Sequence, residues 1–189
     1  GGGIKGLLPA YWLYTMEFYS GKPLCDYFKT LWGTSTGAII TAFAAKWFSM
    51  REVLKFYIEK GPSVFLRNSL FGLVRTKFTP ENIEKEMRSY FPEEETFLSM
   101  YKKTKIELNI TMVDARLRKT LVANYKRSPS MPVWKALRAS TAAPYYFGPF
   151  IDKGRYFDEQ TGDENVYFDG GSGIFNNASE KAFNQAYYI

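Results

Sequence analysis

The sequence predicts an α/β domain, and three observations carry that reading. Segments with the period of a helix alternate with segments with the period of a strand along the whole chain. Hydrophobic residues fill 46% of the 189 positions and charged residues 23%, which suits one folded domain with a sizeable core. Finally, an apolar strand runs into Gly33-Thr34-Ser35-Thr36-Gly37, and an apolar helix follows. Strand, glycine-flanked serine and helix in that order make a turn that exposes a serine at the top of a sheet.

Taken in order, a glycine-rich start leads into a helix over residues 7–18, and Gly21 and Pro23 mark a turn. Residues 27–32 read as a short buried strand and residues 36–48 as a buried helix. Ser49 followed three residues later by Glu52 is a capping box, opening a helix that Gly61-Pro62 should end. Thr79-Pro80-Glu81 starts another helix, expected to reach about Tyr90. Ile106, Leu108, Ile110 and Met112 alternate with polar residues at strand period, and residues 120–125 look like a neighbouring strand. Pro132 opens a helix that ends before Pro144. Residues 156–167 read as a hairpin turning near Gln160-Thr161-Gly162-Asp163. Residues 166–168 form a strand feeding Asp169-Gly170-Gly171, and Asn177 caps a closing helix.

Composition removes several chemistries. The chain contains no histidine, so a Ser-His-Asp triad is excluded. Its only cysteine, Cys25, leaves no intrachain disulfide and no thiolate metal cluster; it reads as a core-filling residue in a reducing compartment. No metal site and no cofactor are expected. The longest apolar run, residues 38–45, is cut by Lys46 and is too short to span a membrane. A formal charge of +6 favours contact with anionic surfaces without choosing among them.

Ser35 needs a base within hydrogen-bond reach, and without histidine a lysine or a carboxylate must serve. Asp169 is the best-placed carboxylate, because it ends a predicted strand before two glycines, where reacting groups of a parallel sheet gather. As a bare pattern, Asp-Gly-Gly is more readily an ordinary turn. Gly1-Gly2-Gly3-Ile4-Lys5-Gly6 fits the dinucleotide pattern Gly-x-Gly-x-x-Gly, with Asp26 about 20 positions on. Asp26 should start its strand, the wrong end for a ribose contact. The alternative is a bend whose backbone N–H groups face a developing oxyanion.

Three patterns now stand in one order: GGGIKG, GTSTG and DGG. In that order they resemble the patatin-like phospholipase family. Residues 139–144, Ala-Ser-Thr-Ala-Ala-Pro, and residues 169–177, DGGSGIFNN, resemble further family stretches, so the likeness covers residues 1–188. The resemblance implies a three-layer α/β/α sandwich with a mostly parallel sheet. It implies Ser35 as nucleophile, Asp169 as its base, and Gly1, Gly2 and Gly3 as the oxyanion loop. Lys5 falls where the family often has a basic residue, and Gly6, Gly33, Gly37, Gly170 and Gly171 support the three motifs. The family aspartate and strand before the glycines do not occur in this sequence. Residues 1–189 are therefore expected to be one patatin-like domain trimmed at both ends.

The function so implied is hydrolysis of fatty-acyl esters of membrane lipids. The expected partner is a phospholipid or other acyl lipid, with peripheral contact to an anionic membrane, a cytoplasmic location and no nucleic acid. A non-catalytic lipid-binding module of the same fold is the alternative, and a dinucleotide-binding protein a third reading. Residues 65–78, FLRNSLFGLVRTKF, carry Arg67, Arg75 and Lys77 among apolar residues and no acid. That pattern suits an interfacial helix or a flap over the site as well as ordinary packing.

Overall fold

The sheet is organised around one strand, β2 (Glu107–Asp114), which carries three partners. In the computed structural model, which describes residues 2–65, 77–173, 176–179 and 182–184, β1 (Thr30–Thr34) runs parallel to β2 over positions 107–111. β3 (Lys119–Ala123) pairs antiparallel with positions 110–114, and β5 (Asn165–Asp169) with positions 112–114. β4 (Phe150–Asp152) pairs antiparallel with β5. Because β3 occupies one edge of β2, β1 and β5 share the other edge end to end. Thr34 sits across from Thr111, and Asp169 across from Met112, the next position along.

The α/β class holds, but the sheet is mixed rather than mostly parallel: of the described pairings only β1–β2 is parallel. Connection length explains the difference. Four residues join β2 to β3, enough for a reversal and too few for a crossover. Asp114 shapes that reversal, its Oδ1 accepting from the N–H groups of Arg116 and Leu117 at 2.9 and 3.0 Å.

β2 alternates apolar and polar residues, yet both of its faces are buried. Polar groups of β2 on both faces find internal partners. Thr111 Oγ1 bonds Thr34 Oγ1 at 2.7 Å, Asn124 Nδ2 donates to Asn109 Oδ1 at 2.9 Å, and Gln160 Nε2 donates to Asp114 Oδ2 at 3.0 Å. Buried polar groups persist where each finds a partner.

The helices follow the local signals in part. α1 (Leu7–Ser20) ends at Gly21, which takes the left-handed conformation a helix stop favours. A helical turn, α2 (Leu24–Tyr27), occupies the start of the expected strand, so β1 begins later, at Thr30. α3 (Thr36–Ala45) is almost wholly buried against β1 and β2. α4 (Met50–Val64) opens on the Ser49–Glu52 capping box. It continues through Gly61-Pro62 to Val64, a turn past the expected stop. Buried Gly61 and Val64 hold that last turn in place, and a Cβ on Gly61 would stand 2.7 Å from Ile4 Cδ1. Tertiary contact there overrides the helix-breaking dipeptide.

α5 (Pro80–Tyr90) has its proline in the first turn. α6 (Phe97–Thr104), absent from the sequence reading, opens on a capping box in which Ser99 stands in place of the usual Glu or Gln. α7 (Val133–Ser140) packs on β2 and β5 and touches α3. The expected 156–167 hairpin is corrected: β5 pairs with β4 instead. Gln160 ties down the connecting loop through its Oε1, which accepts from the N–H groups of Tyr156 and Phe157. Asn177 accepts from Ser179 N–H as a cap would, though part of the closing helix lies outside the described residues.

The aromatic residues are shared between core and surface: Tyr11, Trp12, Phe18 and Tyr19 on α1 are exposed, while others build the core. Phe43 on α3 meets Phe48, Phe56, Tyr90 and Phe91 with ring centroids 4.9–5.4 Å apart. Cys25 fills the core as expected, with burial pushing its thiol up to about 11 and Sγ 3.0 Å from the Ala44 carbonyl oxygen. Among the described residues no helix is long and apolar enough to cross a membrane.

Candidate active site

β1 stops at Thr34 and α3 starts at Thr36, leaving Ser35 as the hinge between them. Its φ of 56° and ψ of −127° lie in a region that side chains rarely adopt. Three contacts hold the hinge. Ser35 N–H donates to Ser140 Oγ at 2.9 Å, and the Ser35 carbonyl accepts from Ala38 N–H at 2.9 Å. Below it, Gly33 lets α3 close down on β1, since a Cβ there would stand 2.4 Å from Thr41 Oγ1 and 2.5 Å from Ala38 Cα. Gly37 has no such packing role: nothing described lies within 4 Å of where its Cβ would be.

The end-to-end meeting of β1 and β5 on β2 brings Asp169 to this serine. Ser35 Oγ donates to Asp169 Oδ2 at 2.7 Å. The other oxygen, Oδ1, accepts from Gly171 N–H at 2.7 Å, and Asp169 N–H donates to the Ala142 carbonyl at 3.0 Å. Gly170 allows the turn to fold over β2, where a Cβ would stand 2.3 Å from Thr111 Oγ1. Asp169 is only 6% exposed. Burial pushes its carboxyl above the usual carboxylate range, and the bonds from Ser35 and Gly171 offset part of that rise.

Gly2 and Gly3 lead into a 3₁₀ turn, Gly3–Gly6, with φ values of 145° and 58° that glycine adopts freely. The N–H groups that open such a turn have no acceptor within it. Gly6 presses the turn onto the start of α3, because a Cβ there would stand 2.3 Å from Thr36 Oγ1 and 2.9 Å from the Tyr57 hydroxyl. Tyr57 in turn bonds the Thr36 hydroxyl and donates to the Thr36 carbonyl at 3.1 Å. Gly1 lies outside the described residues.

These groups meet in one cavity of about 380 Å³. Gly2, Gly3, Lys5, Ser35 and Asp169 line it, together with apolar side chains including Ile4, Ile39, Ile83 and Phe147. Of residues 65–78, positions 66–76 lie outside the described residues, Arg67 and Arg75 among them. Phe65, Lys77 and Phe78 at the two ends of that segment all line the cavity. Asp26 falls in α2 rather than at the end of a strand, which removes the ribose contact a dinucleotide site requires.

Two contributors carried no warning in the sequence. Ser140 lay inside the Ala-Ser-Thr-Ala-Ala-Pro stretch without an assigned role. Tyr57 had no local signal, as its partner Thr36 is reached only through the packing of α4 on α3.

A family model for patatin-like phospholipase matches residues 1–183. An "Intracellular phospholipase A2" of Caenorhabditis elegans is 32% identical over 167 residues, covering 84% of this chain and 15% of that protein. Patatin-2-Kuras 2 of Solanum tuberosum is 27% identical over 191 residues, covering 88% of this chain and 45% of the relative. The chain therefore spans less than half the length of either relative. Among solved structures, VipD from Legionella pneumophila superposes with a TM-score of 0.59 at 14% identity, over 90% of this chain and 44% of that one, a likeness of fold alone. The family match takes in the glycine-rich turn, the serine hinge and the Asp-Gly-Gly turn in one span, and by it this chain belongs to the patatin-like phospholipase family.

Proposed function

We propose that this chain is a lipid acyl hydrolase working through Ser35 and Asp169. The observation that carries the reading is the 2.7 Å bond from Ser35 Oγ to Asp169 Oδ2, facing an apolar cavity in a chain without histidine. Asp169 takes the Ser35 proton as Oγ bonds the ester carbonyl carbon. The N–H groups at Gly2 and Gly3 stabilise the oxyanion that forms. Collapse of the tetrahedral intermediate breaks the ester C–O bond, and the departing alcohol takes the proton from Asp169. Asp169 next deprotonates a water that attacks the acyl-enzyme, and Ser35 regains its proton as the fatty acid leaves. The family and the phospholipase A2 relative support membrane lipids as substrates. Peripheral action at an anionic membrane surface, on the cytoplasmic side, extends the same proposal.

A fluorophosphonate probe should label Ser35 covalently, and Ser35→Ala should lose both labelling and ester hydrolysis while keeping its fold. Hydrolysis retained in a folded Ser35→Ala variant overturns the assignment. A lipid-binding module without turnover would bind acyl lipids and release no fatty acid.

A further inference from the structure

The cavity around Ser35 is apolar over most of its wall, yet two lysines, Lys5 and Lys77, are among the residues that line it. Its one carboxylate, Asp169, bonds Ser35 and Gly171 N–H and forms no ion pair with either lysine. Among the described residues, neither Lys5 nor Lys77 forms a salt bridge with any acid.

Lys77 is held in this position by its surroundings. Its N–H donates to the Tyr145 carbonyl at 3.1 Å, and the next residue, Phe78, donates to the Tyr146 carbonyl at 2.8 Å. Its Nζ lies 5.2 Å from the centroid of the Tyr146 ring and 5.5 Å from that of Phe78. Ring faces steady a cation without using up its N–H donors. A charge beside such apolar walls attracts an anion more strongly than it would in open water.

We propose that Lys77, assisted by Lys5, forms a subsite for the phosphodiester of a glycerophospholipid. The site then selects esters that carry a permanent anionic phosphate a few atoms from the scissile carbonyl over uncharged glycerides. This rests on the acyl-hydrolase reading for the ester and on the cavity alone for the anion. Lys77 thereby acts as a selector of headgroup chemistry rather than as part of a membrane-facing patch. A fatty-acid carboxylate, the product, is the other oxyanion with which the same ammonium could pair.

The test uses the full-length protein in micelles of an uncharged detergent, so that bilayer charge plays no part. kcat/KM is measured for phosphatidylcholine and for diacylglycerol with the same acyl chains. Lys77→Met should lower the phosphatidylcholine-to-diacylglycerol ratio about tenfold, the scale of one hydrogen bond to a charged group, and Lys77→Arg should keep most of it. An unchanged ratio in Lys77→Met overturns the subsite, as does relief of oleate inhibition with the ratio intact. Binding of an ether-linked phosphatidylcholine against the matching dialkylglycerol, measured on Ser35→Ala, reads the subsite with turnover removed. Equal affinities there overturn the subsite and leave the hydrolase reading untouched. Phosphate preference in a protein that cleaves no ester would overturn the hydrolase reading alone.

Discussion

The backbone N–H of Ser35 donates to the hydroxyl of Ser140 at 2.9 Å, so the last residue of α7 braces the hinge between β1 and α3. Both residues are buried, and the bond joins positions 105 apart in the chain. Ser35 holds backbone angles that cost on the order of 1–3 kcal/mol wherever the surroundings do not enforce them. Ser140 is one of the groups that enforce them.

Ser140→Ala should therefore leave a buried N–H without its acceptor, at a cost of about 1–3 kcal/mol. As a positioning residue, Ser140 should affect kcat far more than KM, because the cavity wall keeps its shape while the hinge relaxes. Stopped-flow measurement of acylation alongside thermal melting separates the two effects. A stability loss with kcat unchanged would reduce Ser140 to a packing role.

Asp169→Asn should lower turnover by roughly 10²-fold or more, the usual scale of a general base. In the wild type, the acid limb of the kcat/KM profile should have its midpoint above the ordinary carboxylate range, since burial raises the Asp169 carboxyl. An acid limb at the usual carboxylate position would point to another base.

The same carboxyl makes a stability prediction of opposite sign. The folded state holds this proton more tightly than the unfolded chain does, so stability falls as pH rises from the unfolded carboxyl's range through the folded one. Above that window the buried charge is a net cost that asparagine removes. Asp169→Asn should melt higher than wild type at neutral pH, and the difference should vanish in acid, where both forms are uncharged. Melting curves across a pH series check this. An asparagine variant that melts lower at neutral pH would show that the carboxylate's hydrogen bonds outweigh its burial.

Two glycines of the same motifs should respond oppositely to alanine. Gly6→Ala places a Cβ 2.3 Å from Thr36 Oγ1, so the glycine-rich turn must move off α3, and both stability and ester hydrolysis should fall. Gly37→Ala meets nothing within 4 Å and lies early in α3, where alanine is the better helix former by about 1 kcal/mol. Its melting temperature should rise. Parallel melts of the two variants against wild type decide the matter.

Replacing Arg67 and Arg75 by glutamine should weaken binding to anionic vesicles by up to about 2 kcal/mol, at about 1 kcal/mol for each charge near a leaflet. The difference should fade as salt rises. Co-sedimentation through a salt series measures both. Equal binding of variant and wild type would remove these two residues from any membrane contact.

What the sequence by itself determined was local. Strand, glycine-flanked serine and helix appear in order because the turn itself falls on Ser35 and a residue without a side chain at position 33 lets α3 settle on β1. The Ser49 cap, Pro80 in the first turn of α5, and Gly21 after α1 marked helix ends because each acts within a single turn of backbone. Composition excluded histidine outright and left any lysine or carboxylate as a partner for Ser35, until the order of the three motifs singled out Asp169. Tertiary structure decided the rest, because it depends on register between distant segments. The pairing of Thr34 with Thr111 and of Asp169 with Met112 sets the serine–aspartate distance, and no local pattern encodes that adjacency. The antiparallel pairing of β3 follows from its four-residue connection to β2, whereas the pairings of β4 and β5 join segments whose partners no local pattern names. Ser140 and Tyr57 reach Ser35 and Thr36 only once α7 and α4 have packed, so their hydroxyls become part of the site through the fold and not through their neighbours in sequence.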